Sequence, residues 1–268
     1  MAALVRRGYN VVMTLTDVRQ LLHQLDLWPS KALGQNFLID GNILRIVIEQ
    51  AEIRADEVVL EVGPGLGVLT ELLLDRARRV VAIEKDRRLC EHLRERFPGL
   101  DLIEGDATRV DLPAFDKLVA NLPYSISTPL LERVVEGPHP PRAMVVMLQR
   151  EVAQRLTAAP RSKEYGALTV LTQVRYDSHV AHVVSPKCFY PAPEVESAIV
   201  VLLRRDPRVK LRPGAPFREI VRAGFGHRRK MLGKLLSPFG PVPERIAHQR
   251  AEELSVNEWI ELANGLRG

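Results

Sequence analysis

Short apolar runs alternating with amphipathic stretches of helical length constrain this chain more than any other feature. The runs are Val58 to Val62, Val80 to Ile83, Leu102 to Ile103, Leu118 to Ala120 and Ala143 to Leu148; between them lie Leu66 to Arg76, Arg87 to Arg96 and Thr128 to Glu136. Runs this short suit strands rather than helices, and their regular alternation with helical patterns predicts βαβ units. The expected fold class is therefore α/β, a Rossmann-like parallel sheet with helices on both faces. Gln149 to Thr157 and Tyr165 to Arg175 read as further helices, and Ser178 to Val184 with Ser197 to Leu203 as a closing strand pair. Ahead of the sheet, Thr16 or Asp17 is expected to cap a helix through Leu27, and Asn42 to Ile53 to pack one face on a core, with Lys31 to Asp40 a loop between them.

Pro207, Pro213, Gly214 and Pro216 make Asp206 to Pro216 a linker rather than an element. The boundary is expected there, dividing a sheet domain (1–206) from a small C-terminal helical domain (207–268) with Leu235, Ile246, Leu254, Trp259, Ile260 and Leu262 in its core. With 46% hydrophobic and 26% charged residues, the 268-residue chain has the composition of a folded globular protein, which excludes a disordered one. Cys90 and Cys188 stand far apart without metal-ligand spacing, so reduced thiols and no structural zinc are expected. No apolar run reaches the length of a signal peptide or a membrane span, and a cytoplasmic protein is expected.

The formal charge of +5 is unevenly distributed. From Val201 to Gly240 lie Arg204, Arg205, Arg208, Lys210, Arg212, Arg218, Arg222, Arg228, Arg229, Lys230 and Lys234, against Asp206 and Glu219. Such a tract suits phosphates, and Arg222, Arg228, Arg229 and Lys230 are the RNA-binding candidates.

Val58 to Val62 runs directly into Gly63, Pro64, Gly65, Leu66 and Gly67 and then into a helical pattern. A glycine-rich strand-to-helix turn lets backbone approach a nucleotide closely, at the sheet edge where such ligands bind. Glu84 ends the next strand, placed to accept from ribose hydroxyls, and Asp106 follows the third, placed to accept from an adenine amine. Together they favour an adenosine ligand. A nicotinamide dinucleotide fits this much equally well, but Gly63, Gly65 and Gly67 alternate where a dinucleotide fingerprint spaces its third glycine farther off. Glu61 also suits a cationic ligand such as a sulfonium amino acid better than a pyrophosphate.

The fourth strand delivers Asn121, Leu122, Pro123 and Tyr124 to the same edge. An exocyclic base amine has its lone pair delocalised into the ring, so methylating it requires acceptors that draw its hydrogens out of plane. The Asn121 side-chain oxygen and the Leu122 carbonyl are candidates for that role. Pro123 fixes the backbone and lacks an N–H, and Tyr124 offers a face for a flipped-out base, a contact worth about 1–3 kcal/mol. Phe189, in the rigid loop Phe189 to Pro193, is the candidate to stack on the opposite face; either ring, Phe189 or Tyr190, is alternatively ordinary core packing.

These residues resemble the ribosomal RNA adenine N6-dimethyltransferase family, specifically its small-subunit branch. The resemblance rests on Lys31, Gly34 to Leu38, Glu61 to Thr70, Glu84, Gly105 and Asp106, Asn121 to Tyr124, Gln149 to Glu151, Tyr165 and Gly166, Phe189 to Ser197, and Phe225 with Arg228 to Lys230. It implies a class I methyltransferase using S-adenosyl-L-methionine and releasing S-adenosylhomocysteine, without a metal. Asn36 and Leu38 would join Gly63, Gly65, Glu84, Asp106 and Asn121 around the cofactor, while Asn121, Leu122, Pro123 and Tyr124 carry the transfer with Phe189 assisting. It further implies dimethylation of two adjacent adenines near the 3′ end of small-subunit (16S) rRNA, by a monomer acting on the small ribosomal subunit in ribosome biogenesis. His227 departs from the small polar or amide residue usual before Arg228 and is read as a surface residue; Met1 to Met13 lies outside the resemblance.

Two rival readings stay open at this point. A large-subunit rRNA adenine methyltransferase of the antibiotic-resistance type would share the cofactor loop and an Asn-aliphatic-Pro-Tyr segment. A non-catalytic assembly or transcription factor on the same fold would keep the sheet without needing Glu84, Asp106, Asn121 and Tyr124 together.

Overall fold

The structure, a computed structural model, describes residues 13–30, 34–205, 210–227 and 229–266. Helix α1 (Leu15–Gln24) leads through strand β1 (Phe37–Leu38) to α2 (Gly41–Ala51), and then the alternating core begins. That core runs β2 (Val58–Val62), α3 (Val68–Leu74), β3 (Arg79–Glu84), α4 (Arg87–Arg96), β4 (Asp101–Glu104), β5 (Lys117–Asn121), α5 (Ser127–Glu136) and β6 (Ala143–Gln149). After it come α6 (Arg150–Leu156), α7 (Ala167–Gln173), β7 (Tyr176–Val184), β8 (Phe189–Tyr190) and β9 (Ser197–Arg204). Helices α8 (Phe217–Phe225), α9 (Leu232–Leu235), α10 (Glu244–Ala247) and α11 (Val256–Gly265) close the chain.

The seven-stranded sheet has the order β4-β3-β2-β5-β6-β9-β7; β4, β3, β2, β5 and β6 are parallel, and β9 pairs antiparallel with both β6 and β7. Strand order reverses at β2, since the chain runs outward through β3 and β4 and then returns to β2's other side as β5. The carboxyl ends of β2 and β5 thus open the crevice in which ligands of such sheets sit. The period-2 alternation of β2 shows how two faces are filled. Val58, Leu60 and Val62 pack with Leu130, Leu131 and Val134 of α5, whereas Val59 packs with Ile43, Leu44 and Val47 of α2 and Leu69 and Leu73 of α3. The expected Rossmann-like sheet is present, with the closing pair β7 and β9 at one edge.

Two expectations need correction. The cap of α1 is Thr14, ahead of the predicted Thr16 or Asp17: Thr14 Oγ1 accepts from Asp17 N at 3.2 Å while the Asp17 carboxylate accepts from Thr14 N at 2.7 Å. A hydroxyl three residues before an acid completes a reciprocal box that Asp17 alone cannot make. The helical C-terminal part is also less separate than a linker implies. Its core of Phe217, Ile220, Leu254, Trp259 and Ile260 is continuous with Tyr165, Val170, Leu171 and Val174 on and around α7. The Tyr165 hydroxyl donates to the Leu254 carbonyl at 2.9 Å, and Phe225 stacks 5.5 Å from Trp259. The expected boundary itself, at 206 and 207, lies outside the described residues, as do residues 1–12, Lys31, Arg208 and Arg228.

Candidate active site

One cavity at the reversal point gathers most of the residues singled out in the sequence. Asn36, Leu38, Glu61, Gly63, Gly65, Glu84, Asp106, Asn121, Leu122, Pro123 and Tyr124 all line it. They come from the β1 loop, the carboxyl ends of β2, β3 and β5, and the turn after β4.

The glycine turn has a reason beyond ligand access. Gly63, Gly65 and Gly67 have φ of 70°, 59° and 81°, left-handed values that side chains disfavour. A Cβ on Gly63 would stand 3.1 Å from the Pro123 ring, and one on Gly65 3.1 Å from the Phe37 ring. The absent side chains therefore let the two neighbouring loops close on the turn, bringing β2 and β5 ends together.

Glu84 is held by its own backbone surroundings. Its Oε1 accepts from the N–H groups of Lys85 (2.8 Å) and Asp86 (2.9 Å), and its Oε2 from Gly65 N–H (3.2 Å). Burial pushes its pKa up, and these backbone donors oppose the shift. Asp106 is in the opposite state. Hydrogen bonds from the Thr108 hydroxyl (2.6 Å) and N–H (2.9 Å), together with Lys85 Nζ at 3.0 Å, hold its carboxyl far below the usual carboxylate range. Asp106 is thus a firmly ionised acceptor, with Lys85, which sequence reasoning passed over, as its cation.

Glu61 lies on the β2 face that meets α3, where it is buried and accepts from Thr70 Oγ1 at 2.7 Å. Burial raises its pKa to about 8, partly offset by the Thr70 bond. The charged groups in the cavity wall are Glu61, Glu84 and Asp106 against Lys85. The ionised Asp106 and the acceptor oxygens of Glu61 and Glu84 suit a cationic ligand carrying hydroxyls and an amine, whereas a pyrophosphate would meet a single cation, Lys85, already bonded to Asp106, which disfavours the dinucleotide alternative. The donor set fits S-adenosylmethionine.

At the end of β5 the side-chain amide of Asn121 donates to the Asn36 carbonyl at 3.1 Å. With the donor half committed, Oδ1 is the acceptor half left without a partner among the described residues. The Leu122 N–H donates to Met147 O at 3.2 Å, continuing the sheet, while no described donor reaches the Leu122 carbonyl. Tyr124 is half-buried, and its hydroxyl shares a 2.5 Å hydrogen bond with the Ser197 hydroxyl at the start of β9. Burial raises the Tyr124 pKa, which keeps the phenol neutral near pH 7. Ser197 fell inside the resemblance without an assigned task; only tertiary pairing of β6 with β9 brings it here.

Phe189 must be corrected, and Arg222 is already ion-paired in the structure. Phe189, expected on the far face of the base, is 3% exposed and buried among Leu38, Val47, Val184 and Ile199. The β1–β8 pairing matches Leu38 with Phe189, turning both inward. Tyr190, the next residue, packs with Phe37 and Leu66, and the Arg19 guanidinium lies 5.2 Å from its ring centroid. Arg222 bonds Glu132 of α5 at 2.5 Å, and Arg218 bonds Glu136 and lies 3.5 Å from Glu132. These cations fasten α8 to α5, because two acids on α5 face them. Arg205 is likewise paired with Asp177 at 3.0 Å. Arg229, Lys230, Lys234 and His227 are exposed. Among the described residues, no group of His, Cys, Asp or Glu is placed to hold a metal, and no helix is long and apolar enough to cross a membrane.

The family described as "Ribosomal RNA adenine dimethylase" matches residues 29–264. "Ribosomal RNA small subunit methyltransferase A" of Opitutus terrae is 45% identical over 236 residues, 84% of each chain. The protein of the same name from Magnetococcus marinus is 42% identical over 265 residues, 92% of this chain and 95% of its own. Among solved structures, a dimethyladenosine transferase from Plasmodium falciparum superposes with TM-score 0.74 at 25% identity, covering 84% of this chain and 95% of that one. The 23S rRNA methyltransferase ErmE superposes with TM-score 0.67 at 28% identity, covering 85% and 98%.

Proposed function

Because this chain belongs to the ribosomal RNA adenine dimethylase family, we propose that it transfers methyl groups from S-adenosylmethionine to N6 of two adjacent adenines near the 3′ end of small-subunit rRNA, two on each. The observation that carries the reading is the pair of unpartnered acceptors, Asn121 Oδ1 and the Leu122 carbonyl, at the cavity wall beside Tyr124. The small subunit is favoured over the large by relatives: those 45% and 42% identical are named for the small subunit, against 28% for ErmE.

Bound S-adenosylmethionine supplies a methyl group already activated by its sulfonium. The chain's residues then have only to bind, orient and polarise. Glu84 takes ribose hydroxyls on lone pairs that its backbone donors leave free, and the ionised Asp106 accepts from the adenine amine. Glu61, protonated in the ligand-free protein, is an acceptor beneath the turn whose ionised form a bound cation would favour. The target base stacks on Tyr124, whose ring Ser197 holds in place. Asn121 Oδ1 and the Leu122 carbonyl accept the two hydrogens of the target amine, drawing its lone pair out of conjugation and stabilising the positive charge that develops there. Neither acceptor is a base, so the released proton passes to solvent.

Phe189 supports this site from behind, through β8 and Leu38. Arg229 and Lys230, with Arg228, extend the RNA contact on the C-terminal unit, and Arg222 holds that unit to α5. A monomer in the cytoplasm completes the reading. Nucleoside analysis of under-methylated small-subunit RNA incubated with the protein and S-adenosylmethionine tests it: N6,N6-dimethyladenosine must appear, and its absence rejects the proposal.

A further inference from the structure

Trp28 is 77% exposed, although both its neighbours in the chain are anchored. Leu27 is 2% exposed and packs with Val18, Leu22, Phe37, Leu66 and Leu89, and its N–H donates to Leu22 O at 2.9 Å. Two residues on, Ser30 is bonded twice to Gln35: Ser30 N–H donates to the side-chain Gln35 Oε1 at 2.8 Å, and the Gln35 N–H donates to Ser30 O at 3.2 Å. Gln35 is itself a cavity-wall residue, and its Nε2 donates to Asp86 Oδ2 at 3.2 Å. Trp28 is therefore held out to solvent by a turn fixed at both ends. By chain geometry its Cα lies within about 7 Å of that of Ser30, which is bonded to the cavity-wall residue Gln35.

An exposed tryptophan forgoes more apolar burial than any other side chain, so its outward setting calls for a partner. The charge around it says which. Arg88 donates to the Asp26 carbonyl, two residues before Trp28, a neutral partner that leaves the guanidinium charge beside the turn. An exposed aromatic face with a guanidinium bonded to its own turn is a platform for stacking an unpaired base while a phosphate is held alongside.

We infer that Trp28 is a positioning residue that stacks on an unpaired base of the substrate RNA outside the catalytic cavity, with Arg88 beside the adjoining phosphate. The inference rests on the proposed RNA substrate. It assigns the β1 side of the cavity as a second RNA-binding surface, separate from the C-terminal basic residues.

Steady-state methylation of under-methylated small subunits by Trp28→Ala and Trp28→Phe tests it, with cofactor binding and melting measured on each. Trp28→Ala should raise the KM for subunits about tenfold, within the range for one lost base stack, and leave kcat and cofactor affinity unchanged. Trp28→Phe should recover most of the loss, since any aromatic face stacks. A KM for Trp28→Ala within about twofold of the wild type overturns the inference, as does equal loss in both variants. A large fall in melting temperature for Trp28→Ala also overturns it, showing that the ring is packed against the protein's own chain. Failure of the wild-type protein to methylate small subunits would instead reject the RNA substrate.

Discussion

The side-chain amide of Asn121 donates to the backbone carbonyl of Asn36 at 3.1 Å, joining the end of β5 to the loop before β1. That bond decides which end of the amide remains an acceptor and ties the two cavity walls together. Asn121→Ala should therefore lower single-turnover methyl transfer by about 10²–10³-fold, the scale for losing one placed polar group in an active site. Asn121→Asp keeps an acceptor but sets a carboxylate against the Asn36 carbonyl, and should restore little. Transfer at the wild-type rate in either variant would remove Asn121 from the mechanism.

Tyr124 has two separable parts. Its ring offers the stacking face, and its hydroxyl bonds Ser197, which is fully buried. Tyr124→Ala should cut turnover steeply with little change in cofactor affinity. Tyr124→Phe should keep most activity yet lose about 1–2 kcal/mol of stability, because Ser197 is left with an unpaired buried hydroxyl. Equal activity losses in the two variants would mean that the ring is not a stacking platform.

Glu61 makes stability depend on pH in an unusual direction. Its folded pKa is raised from 4.5 to about 8, so between those values the folded protein holds a proton that the unfolded chain has released. This group's contribution accordingly falls as pH rises through that window and is constant above it. Denaturant unfolding of the ligand-free protein at pH 5.5 and 8.5 should show Glu61→Gln gaining on the wild type by a few kcal/mol, to order of magnitude, at the higher pH. A pH-independent difference would count against the burial argument.

The basic tract divides by partner. All four side chains are exposed, but Arg222 and Arg218 are ion-paired to acids of α5, whereas no ion pair to Arg229 or Lys230 is present among the described residues. Neutralising Arg229 and Lys230 should lower the slope of log affinity against log salt for RNA by roughly 0.7–0.9 per charge. Arg222→Ala should change that slope little and lower the melting temperature instead. The reverse pattern would restore Arg222 as a phosphate contact.

Much of this was legible in the sequence because local chemistry determined it. Val58 to Val62 is a strand over its full predicted length, α4 spans Arg87 to Arg96 as its periodicity demands, and the alternating glycines sit at positive φ. What escaped depended on long-range pairing. Phe189 reads as a stacking ring until the β1–β8 register turns it into the core, and Arg222 reads as a phosphate ligand until α5 brings Glu132 to it. Lys85 and Ser197 gain their tasks only through Asp106 and Tyr124, distant in sequence and adjacent in space. The cap of α1 falls at Thr14 rather than at Thr16 or Asp17, because Asp17 serves as the acid of the box that Thr14 opens.

The central claim is amino-directed methylation of adenine in the small subunit. It is tested most directly by incubating under-methylated small and large ribosomal subunits in parallel with the protein and labelled S-adenosylmethionine, and mapping the label by mass. The account predicts label on two adjacent adenines near the 3′ end of the small-subunit RNA, two methyl groups on each, and little on the large subunit. Label confined to large-subunit RNA, or found on any atom other than adenine N6, would contradict it.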